Sequence, residues 1–422
     1  RGALWCVLQN SDFRILWYVG TLGEFCRRIE MFVFSWMILE LTSSYIQLLL
    51  VLAFNNLPRP MISMWTGYIA ERFPRARILL TAQTINVLTT TILLSVVAYN
   101  FDLIEPWQVF VAVFIQGVTK SIEDPSRRTS IFDIVGQRRF VNALSLELFS
   151  NNLSKMTGPI MGGILVATAG FTGTFSFLLT VHVFNLVLMA RLRIPDFQGP
   201  AQMEPMVRSL RLVGNYARHS PVLLGLFYIT IVMNVLAFPI QQFIPAIGRD
   251  HLGVGVTLVG LLVAADGFGQ LVGAGIMAIS RDLRYHGRIF VLGSIWILVI
   301  SSIFVWSPWY SLTFGLLTMC GIAHSCFSTM QSSVTMLATS HDMRGRMLGL
   351  LSVCIGAGMS LGALVIGLIA STFSIQWSIS LNSLAGLLLI VPAIVFTPLL
   401  WQTVNQVVEN SDSVTEPAGE EA

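Results

Sequence analysis

Four ionisable residues, Glu24, Arg27, Arg28 and Glu30, fall within seven positions of a stretch that is otherwise oily. The flanks, Ile15 to Gly23 and Met31 to Leu39, carry no charge. In a hydrocarbon core each Arg or Asp costs about 2.5 to 3.5 kcal/mol, so four such groups facing lipid would cost on the order of 10 kcal/mol. At 100° per residue Glu24, Arg27 and Arg28 lie within an arc of about 100°, and Glu30 lies about 60° past Arg27. All four can therefore share one side of a helix, turned away from lipid. Two chemistries suit them: a carboxyl in a poorly hydrated cavity can trade protons near neutral pH, and a guanidinium can meet an anion. The purely structural alternative is that Glu24 pairs with Arg27 or Arg28 along the helix and the group forms a neutralised polar lining.

A second stripe follows at steps of three or four, Glu147, Asn151, Lys155, Gly158 and Gly162, again on one helical face. Its first half is polar. Its second half, around Gly158, Pro159, Gly162 and Gly163, offers glycines that permit close backbone contact and a proline that removes a helix hydrogen bond. Further polar groups at depth are Arg59, Lys120 and Glu123, then Gln241, Gln242, Asp266, Gln270, His324 and Gln331. The N-terminal half thus carries most of the charge, and the C-terminal half offers a more apolar wall. The candidate proton-trading groups are Glu24, Glu30, Glu147 and Asp266. The candidate substrate contacts are Arg27, Arg28, Arg59, Asn151, Lys155, Gln241 and Gln331. His324, alone on an apolar helix, is expected to be a satisfied core residue.

These residues need elements that hold them in a membrane. The 422-residue chain is 54% hydrophobic and only 11% charged, against roughly 25% charged for a soluble globular chain. Apolar runs of about twenty residues recur with short polar breaks, the length needed to cross a core of about 30 Å. We place helices near 13 to 40, 45 to 69, 77 to 99, 106 to 127, 141 to 169 and 171 to 193, then near 221 to 248, 256 to 280, 289 to 306, 308 to 338, 347 to 372 and 376 to 400. The expected fold class is an all-α membrane protein of twelve transmembrane helices in two six-helix bundles, 1–193 and 221–400. A Pro-, Gly- and Arg-bearing linker at 194–220 joins them, and an acidic tail at 401–422 is expected to be disordered.

Loops kept in the cytoplasm carry the excess of Lys and Arg. One face holds Arg72, Arg75 and Arg77, then Arg127, Arg128, Arg138 and Arg139, then Arg281, Arg284 and Arg288, then Arg344 and Arg346. The opposite face has little beyond Arg249. Both termini are accordingly expected in the cytoplasm of a bacterium, with the chain in its inner membrane as a monomer. The chain opens with Arg1 where an initiator Met would stand, and the first apolar run is too long, and lacks the small-residue cleavage pattern, for a removable signal peptide.

Other function classes find little support. The net charge of +3 is small and spread over short loops, which argues against nucleic acid as a partner. The five cysteines lack CxxC pairing, so neither a disulfide framework nor a metal site is suggested, and no cofactor is expected. No HExxH or phosphate-loop pattern occurs that would mark an enzyme.

The two halves echo each other: Gln137 to Ser145 resembles Met343 to Ser352, and each leads into a Gly-rich helix. Repeated halves are a common build for transporters. The run from Gly67 to Arg77, with Glu71, Arg72 and Arg75, resembles the loop-two signature G-x-x-x-D-R-x-G-R of the major facilitator superfamily, with Glu71 for the acid and Pro74 for the second glycine. Gly158, Pro159, Gly162 and Gly163 match its antiporter signature, with Ser154 at the first position. Trp36 to Thr42, Asp124 to Arg127, Asn142 to Ser145 and Met343 to Arg346 are similar to the branch that includes the enterobactin exporter. The resemblance implies a facilitator fold whose loop-two residues latch the halves, and proton-coupled export of a small siderophore- or drug-like molecule by alternating access. Uptake by symport, or lipid flipping, are the alternatives within the same fold.

Overall fold

The computed structural model describes residues 8–58, 61–62, 74–101, 104–192, 214, 216–218, 220–279, 285–339 and 343–398. Among these residues every regular element is helical. They form α1 (Ser11–Thr42), α2 (Tyr45–Asn56), α3 (Arg75–Tyr99), α4 (Pro106–Val135), α5 (Gln137–Ala190), α6 (Pro221–Leu236), α7 (Val256–Ile279), α8 (His286–Phe304), α9 (Tyr310–Leu337), α10 (Arg344–Thr372) and α11 (Ile375–Phe396). Among the described residues eight helical stretches are long and apolar enough to cross a membrane. They lie in α3, α5, α6 with the turns that follow it, and each of α7 to α11. α1 and α4, at 32 and 30 residues, are longer than most but carry the charges of the candidate site.

Local signals account for the ends. The Asn10 side chain accepts from the amides of Asp12 and Phe13 and so starts α1. Pro221 stands at the first turn of α6 behind Ser220, whose hydroxyl accepts from the Leu223 amide. α5 is two arms divided at Gly170, with φ 65° and ψ −172°, a conformation only glycine adopts readily. The expected break between 169 and 171 falls at that residue.

Two expected boundaries are corrected. The helix placed at 106 to 127 runs on to Val135 with Pro125 inside it, and Arg127, assigned to a cytoplasmic loop, is 4% exposed within α4. Its charge is met by carboxylates of α4 and α5, so the helix continues where a loop was expected. The helix placed at 221 to 248 loses α-form at Leu236, giving way to a 3₁₀ stretch at Phe238–Phe243 and a π stretch at Ile247–His251. Pro239 has no amide hydrogen to offer the Val235 carbonyl, and Gly362 packs against that carbonyl instead. Residues 59–60 and 63–69 of the expected second helix, most of the linker 194–220 and the tail 401–422 lie outside the described residues.

The helices gather into two compact units, one of Arg1–Met203 with Gln242–Gly267 and the other of Glu204–Gln241 with Phe268–Ala422. The first has an apolar core of Cys26, Ile29, Phe32, Phe34, Val113 and Phe175, and a second around Phe13, Leu16, Ile131 and Met189. The other unit is built on Leu223, Leu226, Phe290, Leu298, Phe327 and Ile390. Large apolar side chains also stand exposed, among them Ile92, Phe184, Leu368 and Leu388, while Glu24, Glu30, Glu147 and Arg127 are buried. Charged inside and oily outside is the arrangement lipid requires.

Candidate functional site

The buried charges of the first unit form one network across α1, α4 and α5. Arg27 places Nη2 3.0 Å from Glu24 Oε1 and Nη1 3.0 Å from Glu123 Oε2, tying α1 to α4. Two other cations approach the Glu24 carboxylate more loosely, Arg28 at 3.9 Å from Oε2 and Lys120 at 3.8 Å from Oε1. Those two are also more open, with side chains 34% and 21% exposed against 6% for Glu24. Three cations thus converge on one carboxylate, whose Oε2 receives no hydrogen bond. Lys155 lies within electrostatic reach of Arg28, Asp266, Glu24 and Lys120 and so joins the same field.

Arg127 makes a second knot. Its Nη2 lies 2.8 Å from Glu147 Oε1 and 3.9 Å from Asp124, linking α4 to α5. Gly20 of α1 leaves the room this guanidinium fills. A small pocket, with room for about one water molecule, is lined here by Trp17, Thr21, Arg127, Glu147, Ser150 and Asn151. Trp17 Nε1 donates to Ser150 Oγ at 3.0 Å on its wall.

The stripe read from α5 lies against α1 and α7. Gly158 meets the Cβ of Arg28, and Gly162 meets Phe32 and Ile29. Gly163 lies where a Cβ would stand 2.8 Å from the Val256 carbonyl and 3.1 Å from Thr257 Cα, while Gly260 packs on the Pro159 carbonyl. These four positions of the antiporter-like run therefore bring backbones together, and Gly158 in particular lets α5 approach the helix that carries Arg28.

Glu30 stands apart from its three neighbours in sequence. It receives His182 Nε2 at 2.9 Å from the second arm of α5, and Gln83 of α3 completes the group. His182, Gln83 and the wholly buried Asn185 were not singled out in the sequence, because a lone polar residue in an apolar arm gives no periodic signal. Along its own helix Glu30 could pair only with Arg27, and in the structure that guanidinium is taken by Glu24 and Glu123.

Other expected residues sit elsewhere. His324 Nδ1 lies 3.1 Å from Gln241 and 3.4 Å from Gln270, and the ring stacks on Phe238 at 4.6 Å. Gln331 donates to Thr230 Oγ1 at 2.8 Å. Asp266 is 8% exposed on α7. Arg75 opens α3 and pairs with Asp133 of α4. Arg59, Gly67, Glu71 and Arg72 lie outside the described residues. Among the described residues no group of three or more His, Cys, Asp or Glu could hold a metal ion.

Comparison with known proteins supplies the context. The profile described as a transmembrane secretion effector matches residues 2–421. The chain is 25% identical to the uncharacterized MFS-type transporter YfiS of Bacillus subtilis (strain 168) over 63% of each sequence, so it spans less than two thirds of that relative's length. It is 24% identical to the enterobactin exporter EntS of Shigella flexneri over 71% of each. The crystal structure of a bacterial homolog of the human lysosomal transporter Spinster, inward-facing and unoccupied, superposes with a TM-score of 0.66 at 15% identity, covering 97% of this chain and 98% of that one.

Proposed function

The chain belongs to the transmembrane secretion effector family of MFS transporters, and from that membership we propose that it exports a small anionic molecule in exchange for protons. It is a membrane transporter and not an enzyme. One observation carries the anionic cargo: Arg28 and Lys120 share a carboxylate that Arg27 already holds, and both are partly open. An incoming carboxylate, catecholate or phosphate would satisfy cations that Glu24 satisfies only in part. The export direction draws on the exporter named among the relatives, and on the match of Gly158, Pro159, Gly162 and Gly163 to the antiporter signature.

In this reading the protein works by alternating access as a monomer of twelve spans in a bacterial inner membrane, both termini cytoplasmic. Substrate meets Arg27, Arg28, Lys120 and Lys155, with Arg59, Asn151, Gln241 and Gln331 as further contacts. Glu24, Glu30, Glu147 and Asp266 are the carboxyls available to protons.

The test is a flux screen in proteoliposomes. Vesicles holding the purified protein are loaded with enterobactin and with a panel of anionic metabolites, a pH gradient is imposed, and efflux is followed for wild type, Glu24→Gln and Arg28→Ala. A gradient-driven flux of at least one anion, reduced tenfold or more in either variant, is the expected result. Equal flux in all three proteins removes the cluster from the mechanism.

A further inference from the structure

We propose that Glu30, positioned by His182, is the group that carries the proton, at a place chemically separate from the Glu24–Arg27–Glu123 cluster. This rests on the export reading above and narrows its four carboxyls to one.

The geometry fixes the chemistry of the trio. Gln83 Nε2 donates to the backbone carbonyl of His182 at 3.0 Å, which sets which end of the amide faces the ring. The same NH2 group lies 3.2 Å from His182 Nδ1, so Nδ1 acts as an acceptor. The ring hydrogen is then on Nε2, donating to Glu30 Oε1 at 2.9 Å. Glu30, His182 and Gln83 are 2%, 2% and 4% exposed. A neutral imidazole therefore faces a buried carboxylate.

A second proton cannot go to Nδ1 without opposing the Gln83 amide hydrogens, so it goes to the carboxyl. If it settles on Glu30 Oε2, Oε1 still accepts from Nε2 and the ring need not turn. The site changes its charge by one with its geometry kept. Protonating Glu24 or Glu123 is different, because it takes a hydrogen-bonded partner from the guanidinium of Arg27.

The surroundings agree. Among the described residues no Lys or Arg comes within 4.0 Å of Glu30. On α1 the neighbouring titratable groups are the buried thiol of Cys26, within electrostatic reach of Glu30, and Arg27, which is turned to Glu24 and Glu123. α5 presents His182 and α3 presents Gln83, while Lys120 and Glu123 of α4 face the Glu24 side.

Infrared difference spectra of the reconstituted full-length protein, taken across pH with no substrate present, test this directly. The expected result is a protonated-carboxyl C=O band that grows as pH falls and is absent in Glu30→Gln. Glu30→Asp, which keeps the acid but draws it back from the ring, shifts the band's midpoint by half a pH unit or more. Gln83→Leu also shifts it, since it frees Nδ1 for a proton, and that response marks Gln83 as a positioning residue and not merely a packing one. A band that survives in Glu30→Gln and vanishes in Glu24→Gln overturns the assignment. So does loss of the band with an unchanged proton-to-anion ratio in the flux assay. Because the spectra need no transported molecule, a failed cargo screen leaves this result readable.

Discussion

Arg27 holds two carboxylates at once, Glu24 one turn earlier on α1 and Glu123 across on α4, each at 3.0 Å. The bond to Glu123 joins residues 96 positions apart and makes the guanidinium the tie between the two most heavily charged helices. Its Nε has no hydrogen-bond partner, so the residue is held by its two ends.

Removing one member of a buried pair leaves a bare charge, which costs about 3–5 kcal/mol. Arg27→Ala is therefore expected to lower the detergent Tm sharply. The triple change Glu24→Gln, Arg27→Met, Glu123→Gln removes all three charges together and restores most of the loss without restoring transport. A melting series of the two proteins checks this.

Arg28→Ala and Lys120→Ala should behave in the opposite way. Ion pairs at 3.9 and 3.8 Å on partly open side chains contribute roughly 0–1 kcal/mol. The Tm should hardly move, while the KM for the best anion of the flux screen rises several-fold. A large Tm change with unchanged KM would make these two residues structural.

The glycines of α5 and α7 are not equivalent. At Gly163 an added methyl would stand 2.8 Å from the Val256 carbonyl, and at Gly158 it would collide with the Cβ of Arg28. Alanine at either is expected to cost about 1–3 kcal/mol through forced helix separation. Gly275→Ala, on α7 with nothing within 4 Å, should be neutral or slightly stabilising. Thermal melts of the three variants in one detergent separate the cases.

Gly170 tests backbone strain without a packing effect, since no atom lies within 4 Å of its added Cβ. Its φ of 65° with ψ −172° is a conformation that L side chains avoid, so Gly170→Ala should cost about 1–3 kcal/mol. Melting of the single variant against wild type measures it.

Arg249 donates to the Leu39 carbonyl and to Ser43 Oγ, where α1 ends in a left-handed residue, and Tyr45 donates to Asp250 at 3.1 Å beside it. Arg249→Ala leaves the last turn of α1 without its cation, a loss of about 0.3–1 kcal/mol. Faster amide exchange at residues 38–43, with the rest of α1 unchanged, is the expected readout.

The helical, membrane-bound character was legible because hydrocarbon leaves a chain few options. Backbone groups must be satisfied within each segment, and long uncharged runs such as Ile289 to Phe304 state this in composition. The polar face of α1 was legible too, since spacing of three and four fixes which residues share a side. The step at 236 was not. Pro239 was visible, but whether its orphaned carbonyl would be reached by Gly362, 123 positions further on in the same chain, was not.

By itself, then, the sequence determined the solvent of this protein, the helical segments, the charge on α1 and the small residues along α5. Only the tertiary structure decided the pairing. Along α1, Arg27 had carboxylates at equal spacing before and after it, at Glu24 and Glu30, and nothing local favours one. The register of α4 brings Glu123 to Arg27, and the second arm of α5 brings His182, 152 positions away, to Glu30. A buried charge takes the partner that helix packing carries to it, and that packing is set by contacts summed over whole helices and not by the residues that use it.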